Sequence, residues 1–580
     1  MRANTNIVAA VLACAVSTQA LSQSYDPESG QSPLVLLQGP QDGVAYYQKL
    51  EKARELNAAE QWAEAEPLWD ALVLEYPRCA ECWMLLGRTK LRLQKGDEAA
   101  VAYRRAGPLI GWDLQYANGY RAAAALLQAG HKEEAFDQLR EMIFQRHGYW
   151  RQQLADNWAP YFDSVKDDPE FREITGWPDT SGWSRVKGWR YDLDFLYSET
   201  KRVNPEYRDL PFPPEMERRY RTLVRDVPRL SDEEIYFQIG RVLAPLHQGH
   251  VSMFPFARAG FLPLRFYVFP EGIFIIEAKG EYAPLNGARV LSIGSLSAEE
   301  AWRRLAESAS VDGDMQHAWE IQRLAEVANL KGMGAVTDSA AIPLEVEDAQ
   351  GSKRTVTIAG TMEAPSNDQS DRPDRLLAPP SVMAPLFLSH MHDVFWHQVL
   401  PDKNALYVQV NNILDGQNET LAAYGKRLWS EMEQTQVTNL ILDLRHNNGG
   451  STQLYEELLR SLIAFSRVPG HTVYVLIGRR SYSATGNFVT DLERLTDPIF
   501  VGEASSECCN LYGDPIELTL PYSGIQLEVT ALRWQLSTPS DRRREISPEL
   551  PVQLTAAAYF AGKDPALDAI FKLIAAHPAG

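Results

Sequence analysis

Positive charge is in short supply in this chain of 580 residues: 57 Lys and Arg face 76 Asp and Glu, a formal net charge of −19. That deficit excludes the electrostatic footprint of a nucleic-acid binder and any general attraction to anionic membranes. Long apolar runs are missing too. Nothing reaches the ~18 consecutive apolar residues of a transmembrane helix, and the N-terminal run IVAAVLACAV falls well short. Cysteine is scarce, with five in all. CAEC at 79–82 continues into Trp83 instead of the histidine of a c-type haem site, and no second CxxC exists to complete a zinc site. Histidines gather in SHMHDVFWH at 389–397, where His390 and His392 would share a strand face near His397. No acidic or cysteine partner sits there at a ligand spacing, so ordinary packing and surface is the reading, and neither metal nor cofactor is expected.

What is present begins with a targeting pattern. Arg2, the short apolar stretch and STQALSQS form an n-region, an h-region and a small-residue cleavage site. Residues 1–20 are therefore expected to be a signal peptide cut after Ala20, and the protein to be exported, periplasmic or secreted. VLAC is only faintly similar to a lipoprotein box, because Leu12 stands where a small residue is usual, so lipid anchoring ranks second. Without Cys14, the remaining cysteines form two local pairs, Cys79/Cys82 and Cys508/Cys509. An oxidising compartment would close both as disulfides.

The length suggests about two to four domains. Residues 40–150 show no strand-like alternation and read as paired helices. Ala65, Ala99 and Ala135 recur at steps of 34 and 36 residues, and Trp83, Leu86, Gly87, Tyr103 and Ala106 keep the offsets of a tetratricopeptide repeat. The segment resembles a three-unit tetratricopeptide array, which implies either a groove for a protein partner or a rigid helical appendage. Residues 185–262 read as helical, 263–360 as short strands around one helix, and 361–380 as a loop. From 380 to 580 short apolar strands alternate with amphipathic helices. That pattern predicts a largely parallel sheet with crossover helices, whose reacting groups collect beyond the carboxyl ends of the strands.

Two stretches lie at such ends. LILDLRHNNGG, 440–450, closes a buried strand with a glycine pair that can aim backbone N–H groups outward, as an anion site needs; a plain strand-to-helix turn would look the same. VLIGRRSYSATGNFVTDLERL, 475–495, delivers Ser481 and Ser483 to a corner, after which Phe488, Leu492 and Leu495 mark one face of a helix. A serine there is either a cap or a nucleophile beside a positive helix end.

DLRHNNGG, followed some way on by SYSATGNF and then by FVGE, resembles the tail-specific (C-terminal processing) serine protease family over roughly residues 185–580. The resemblance implies a multidomain fold. After the all-α tetratricopeptide-like array come a helical part of the protease region at 185–262, a degenerate PDZ-like β-rich module at 263–360, and an α/β core of the ClpP/crotonase kind at 380–580. It also implies that Ser483 is the nucleophile and that the backbone N–H groups of Gly450 and Ala484 form an oxyanion hole. The lysine base of one branch has no counterpart, since Cys508 falls where it is expected and residues 495–532 hold no Lys or Arg. The chain is instead similar to the histidine-dependent, tricorn-core-like branch, whose base comes from an upstream Gly-His-Thr turn. APLHQGHVSMFP, 244–255, matches with Val251 in place of threonine, which makes His250 the base and leaves His247 as the alternative. An imidazole with an ordinary pKa near 6.5 suits that task.

For the group that orients the histidine, the resemblance leaves Glu503, Asp541 and Glu545 as candidates. Where the branch has a Gly-rich run after Gly-Glu, this chain has GEASSECCNLYGD, which puts Ser505, Ser506, Glu507 and the cysteine pair beside the cleft. In the PDZ-like module Gly287-Ala288-Arg289 replaces the usual Gly-Asp, so capture of peptide ends and a purely structural role both stay open. The expected function is that of an exported serine peptidase acting on proteins or peptides without a cofactor. The alternatives are an inactive scaffold of the same fold that binds peptides or envelope proteins, and hydrolysis of a non-peptide ester or amide by the same serine.

Overall fold

The computed structural model describes residues 43–110, 112–144, 151–154, 159–363, 375–379 and 382–576. The expected signal peptide, Cys14 and most of the 361–380 loop lie outside those residues. The chain divides into two compact units, with the boundary between Gly182 and Trp183.

The first unit is helical. Gly43–Ala58, Trp62–Glu75, Ala80–Arg92, Gly96–Ala106, Trp112–Gln128 and Lys132–Phe144 follow one another, each packed on the next. Close approach depends on small residues. Ala65, Ala99 and Ala135 are fully buried, and a Cβ on Gly87 would fall 2.9 Å from the Tyr103 ring. A disulfide joins Cys79 and Cys82 at the first turn of Ala80–Arg92. The short helices Ala159–Phe162 and Pro169–Ile174 add Phe162 and Phe171 to the same core, so the unit reaches past residue 150.

The second unit opens with helices Arg185–Val203, Pro214–Asp226 and Asp232–Leu243, the last started by a Ser231–Glu234 capping box. A tight turn leads from there into β1 (Ser252–Met253). Strands β2 (Leu264–Phe269), β3 (Gly272–Ala278), β4 (Arg289–Ile293), β5 (Leu296–Ser297), β6 (Ile342–Glu347) and β7 (Lys353–Ile358) form an antiparallel sheet in the order β2-β3-β4-β6-β7, with β5 paired to β4. Helices Ala298–Ala306 and Val327–Gly332 share its core.

Next come β8 (Phe395–Leu400), β9 (Ala405–Val410), β10 (Asn439–Asp443), β11 (Thr472–Ile477), β12 (Ile499–Gly502), β13 (Tyr512–Thr519), β14 (Gln526–Arg533) and β15 (Leu550–Pro551). A six-stranded sheet runs β15-β12-β11-β10-β9-β8, parallel except for β8 at its edge. β9 to β11 are apolar on both faces because both are covered: Leu421–Thr435, Glu456–Ser466 and Ala484–Leu495 pack on one side and Pro565–Ala576 on the other. The β13–β14 hairpin is an element the sequence reading lacks. β1 pairs with its edge, Ser252 opposite Glu528, and so anchors the chain just after His250.

His390 and His392 do not share a strand, contrary to expectation: they sit in the turn between helix Leu386–Ser389 and β8. His390 is paired with Asp393, whereas His397 lies on β8 beside Tyr424.

Candidate active site

The chain turns a corner between the end of β11 and helix Ala484–Leu495, and the two serines there do different work. Ser481 is a brace. Its Oγ donates to the Leu444 carbonyl at 3.0 Å and accepts the Gly478 N–H at 3.2 Å, tying this corner to the end of β10. Ser483 occupies the N-cap position, yet its Oγ makes no capping bond. Its backbone stands at φ 58°, ψ −126°, a conformation that residues other than glycine rarely adopt. Such strain costs on the order of 1–3 kcal/mol. A sharp strand-to-helix turn of this kind can present a serine hydroxyl, as a nucleophile elbow does.

The turn after Asp232–Leu243 brings His250 Nε2 to 3.0 Å from Ser483 Oγ. The imidazole lies on the Tyr482 ring, with centroids 4.6 Å apart and 21° between planes, and Trp319 meets Tyr482 edge-on. On its far side, His250 Nδ1 stands 3.4 Å from Glu507 Oε1. The second oxygen of the same carboxylate, Oε2, accepts the Ser483 N–H at 2.8 Å. One buried carboxylate therefore faces the imidazole and also holds the backbone of the strained serine. Burial alone would lower the His250 pKa, but Glu507, with Glu528 and Asp514 farther off, outweighs it and leaves the imidazole above its ordinary 6.5. His247 is exposed at φ 52° and serves to reverse the chain.

The glycine pair lies against this corner. The Ile413 N–H donates to the Gly449 carbonyl and the Ser451 N–H to the Ile413 carbonyl, which pins the segment and leaves the Gly450 N–H out of the pairing. A Cβ on Gly449 would fall 2.6 Å from Ser483 Cβ and 2.9 Å from Ala484 N, and one on Gly450 would fall 2.2 Å from the Ile413 oxygen. Only glycine fits at either position. Ala484 opens its helix, so its N–H has no intrahelical acceptor. Arg445 braces the start of the turn through Asp443 and Asp564, and His446, stacked on Phe387, is pushed down to about 3 by burial and stays neutral.

Glu503, Asp541 and Glu545 are not the carboxylate at His250. Glu503 is bound to Arg479, which also reaches the Val268 carbonyl of β2. Asp541 is held by Arg543 and Ser537, and Glu545 lies near Gly313. Glu507 stands there instead, and it comes from the GEASSECCNLYGD segment. That segment is a buried, bonded loop: Ser505 Oγ donates to the Glu507 carbonyl, Ser506 Oγ to the Arg479 carbonyl, and the Cys508–Cys509 disulfide packs into the main core. One signal pointed to Glu507, its place directly before Cys508, where the other branch's lysine is expected. Asp312, whose Oδ2 accepts the Gly249 N–H at 2.7 Å, had no signal. Side-chain atoms of His250, Asp312 and Glu507 lie within 4.8 Å of one another.

Residues 404–472 match the family model of peptidase family S41. The match includes Gly449 and Gly450 and ends before Ser483. No curated protein matches the chain. Among solved structures, mature CPAF complexed with lactacystin is similar at 13% identity over 67% of this chain and 98% of that one, with a TM-score of 0.49. The tricorn protease is similar at 13% identity over 67% of this chain and 37% of that one, with a TM-score of 0.31. For the photosystem II D1 C-terminal processing protease the values are 11%, 65%, 98% and 0.29.

Proposed function

We propose that the chain is a serine peptidase in which Ser483, His250 and Glu507 act as a catalytic triad on peptide bonds of protein or peptide substrates. The observation that carries this reading is Ser483 held at φ 58° with its Oγ 3.0 Å from His250 Nε2. Ser483 Oγ attacks the carbonyl carbon while its proton passes to His250 Nε2, and Glu507 stabilises the imidazolium that forms. The oxyanion of the tetrahedral intermediate takes the N–H groups of Gly450 and Ala484; loss of one such donor typically costs about 10²–10³ in rate. His250 then gives its proton to the leaving amine as the C–N bond breaks, leaving an ester on Ser483. Water, activated by the same imidazole, hydrolyses that ester and restores the hydroxyl.

The reading extends to the rest of the chain. Export through the signal peptide at 1–20 is supported by the two disulfides, which suit an oxidising compartment. The helical unit serves as a tetratricopeptide-like surface for a protein partner, supported by the small-residue contacts between its successive helices.

Labelling of the purified protein with a fluorophosphonate probe tests the core of the proposal. The expected result is labelling of the wild type that disappears in Ser483→Ala and in His250→Ala and persists in His247→Ala. No labelling of the native wild type sinks the hydrolase reading and favours a binding scaffold.

A further inference from the structure

Two carboxyl groups, Glu507 and Asp312, close around His250, and they come from different parts of the second unit. Asp312 follows helix Ala298–Ala306 and so belongs to the β-rich module. Its Oδ2 accepts the Gly249 N–H at 2.7 Å, on the residue before His250. The flanking residues grip the same turn. Ser310 Oγ donates to the Gln248 carbonyl and accepts the Gln248 N–H, both at 2.9 Å, and Gln316 donates to the Gly249 carbonyl at 3.2 Å. A Cβ on Gly249 would fall 2.6 Å from Asp312 Oδ2 and 2.4 Å from Gln316 Oε1, so glycine is needed before His250 to admit this contact. One residue after Asp312, the Gly313 N–H donates to the Ser506 carbonyl at 3.2 Å, in the loop that carries Glu507.

We propose that Asp312 is a positioning residue of this site: through Gly249 it holds the turn that carries His250, and against Glu507 it fixes the carboxylate that faces His250 Nδ1. The proposal rests on the Ser483–His250–Glu507 reading. Side-chain atoms of Asp312, Glu507 and His250 lie within 4.8 Å of one another, and the buried Glu507 Oε1 accepts no hydrogen bond from any group among the described residues. Two carboxyls this close do not both ionise readily, and a single proton between them ties Asp312 to Glu507. Asp312 is the one that keeps the proton. Burial and the Glu507 charge push its carboxyl well above the usual carboxylate range, against the opposing pull of the Gly249 N–H and Arg544. Glu507 faces His250 Nδ1 with one oxygen and accepts the Ser483 N–H with the other. Of the other acidic groups nearby, Glu545 is close to Gly313. Asp312 is thus an acceptor toward Gly249 and a neutral donor toward Glu507.

Asp312→Asn keeps both capacities, since an amide accepts through oxygen and donates through nitrogen, whereas Asp312→Ala keeps neither. The full-length protein is compared in three measurements: fluorophosphonate labelling rate, the His250 titration followed by NMR, and hydrogen exchange of peptides covering 247–251. The expected result for Asp312→Asn is labelling within about threefold of wild type and an unchanged His250 midpoint, because a neutral group replaces a neutral group. Asp312→Ala is expected to label about tenfold or more slowly at unchanged probe affinity and to exchange faster at 247–251. A His250 midpoint lowered by about one unit or more in Asp312→Asn shows that Asp312 is ionised in the native protein and overturns the proposal. So does Asp312→Ala with native exchange at 247–251. Titration and exchange need no turnover, so they decide on Asp312 even where an unlabelled wild type has already refuted the peptidase reading.

Discussion

The corner that follows β10 takes its positive φ values on glycine, 107° at Gly449 and 139° at Gly450, whereas the corner that follows β11 takes φ 58° on Ser483. The first corner supplies only backbone N–H groups, so glycine adopts the turn without strain and no side chain is lost. The second carries a serine, so the strain stays and the surroundings hold it. Glu507 binds the Ser483 N–H, Tyr482 lies under His250, and Ser506 bonds back to Arg479 and Ser481. Strain kept on Ser483 at ψ −126°, where glycine would relieve it, is what the proposed role of its hydroxyl accounts for.

Ser483→Gly tests that contrast most severely. It is expected to abolish fluorophosphonate labelling entirely while unfolding at higher temperature than Ser483→Ala. The relief of strain exceeds the entropic cost of glycine and leaves a gain of about 1–2 kcal/mol. A glycine variant less stable than the alanine one would show that φ 58° is no burden in the native protein, and the contrast between the corners would fail.

Glu507→Gln has the next largest effect, because it keeps an acceptor for the Ser483 N–H and removes only the charge facing His250. The expected loss in labelling rate is about 10²- to 10⁴-fold. Its pH dependence has a definite sign. In the wild type the imidazole is held above 6.5 chiefly by Glu507, so labelling rises with pH through that raised midpoint as the base becomes neutral. Without the charge, burial dominates and the midpoint moves down. A midpoint that stays put in Glu507→Gln would remove Glu507 from the site.

The same contrast explains how much of the site was legible in the sequence. β9 to β12, the glycine pair and the serine corner announce themselves locally, as short apolar runs ending in small residues. His250 was reachable through the Gly-His pattern of its turn. Glu507 had only its place before Cys508, beside the cleft, and nothing local in SSECC tells that Ser505, Ser506 and Glu507 are wholly buried. The Ser505 and Ser506 hydroxyls and Glu507 Oε2 bond to Arg479, to the Ser483 N–H and to one another across the fold, and no local pattern records such distant partners. The β13–β14 hairpin escaped for a related reason. Gly513 and Pro515 inside β13 look like turn residues, and the strand forms because pairing with β14 overrides that local preference.

Ser481→Ala is the smallest of these perturbations and sharpens the division of labour between the two serines. The Ser481 hydroxyl is buried and joins the corners, linking the Gly478 N–H to the Leu444 carbonyl. Removing it leaves a buried N–H and a carbonyl without that partner, at an expected cost of about 1–3 kcal/mol in unfolding free energy. Ser483, His250 and the N–H groups of Gly450 and Ala484 are all retained. Labelling below the unfolding transition is therefore expected to stay within about threefold of wild type, with the thermal midpoint lowered. Loss of labelling as complete as in Ser483→Ala, with the fold intact, would mean that the nucleophile had been assigned to the wrong serine. Retained labelling with reduced stability is what a brace between two corners requires.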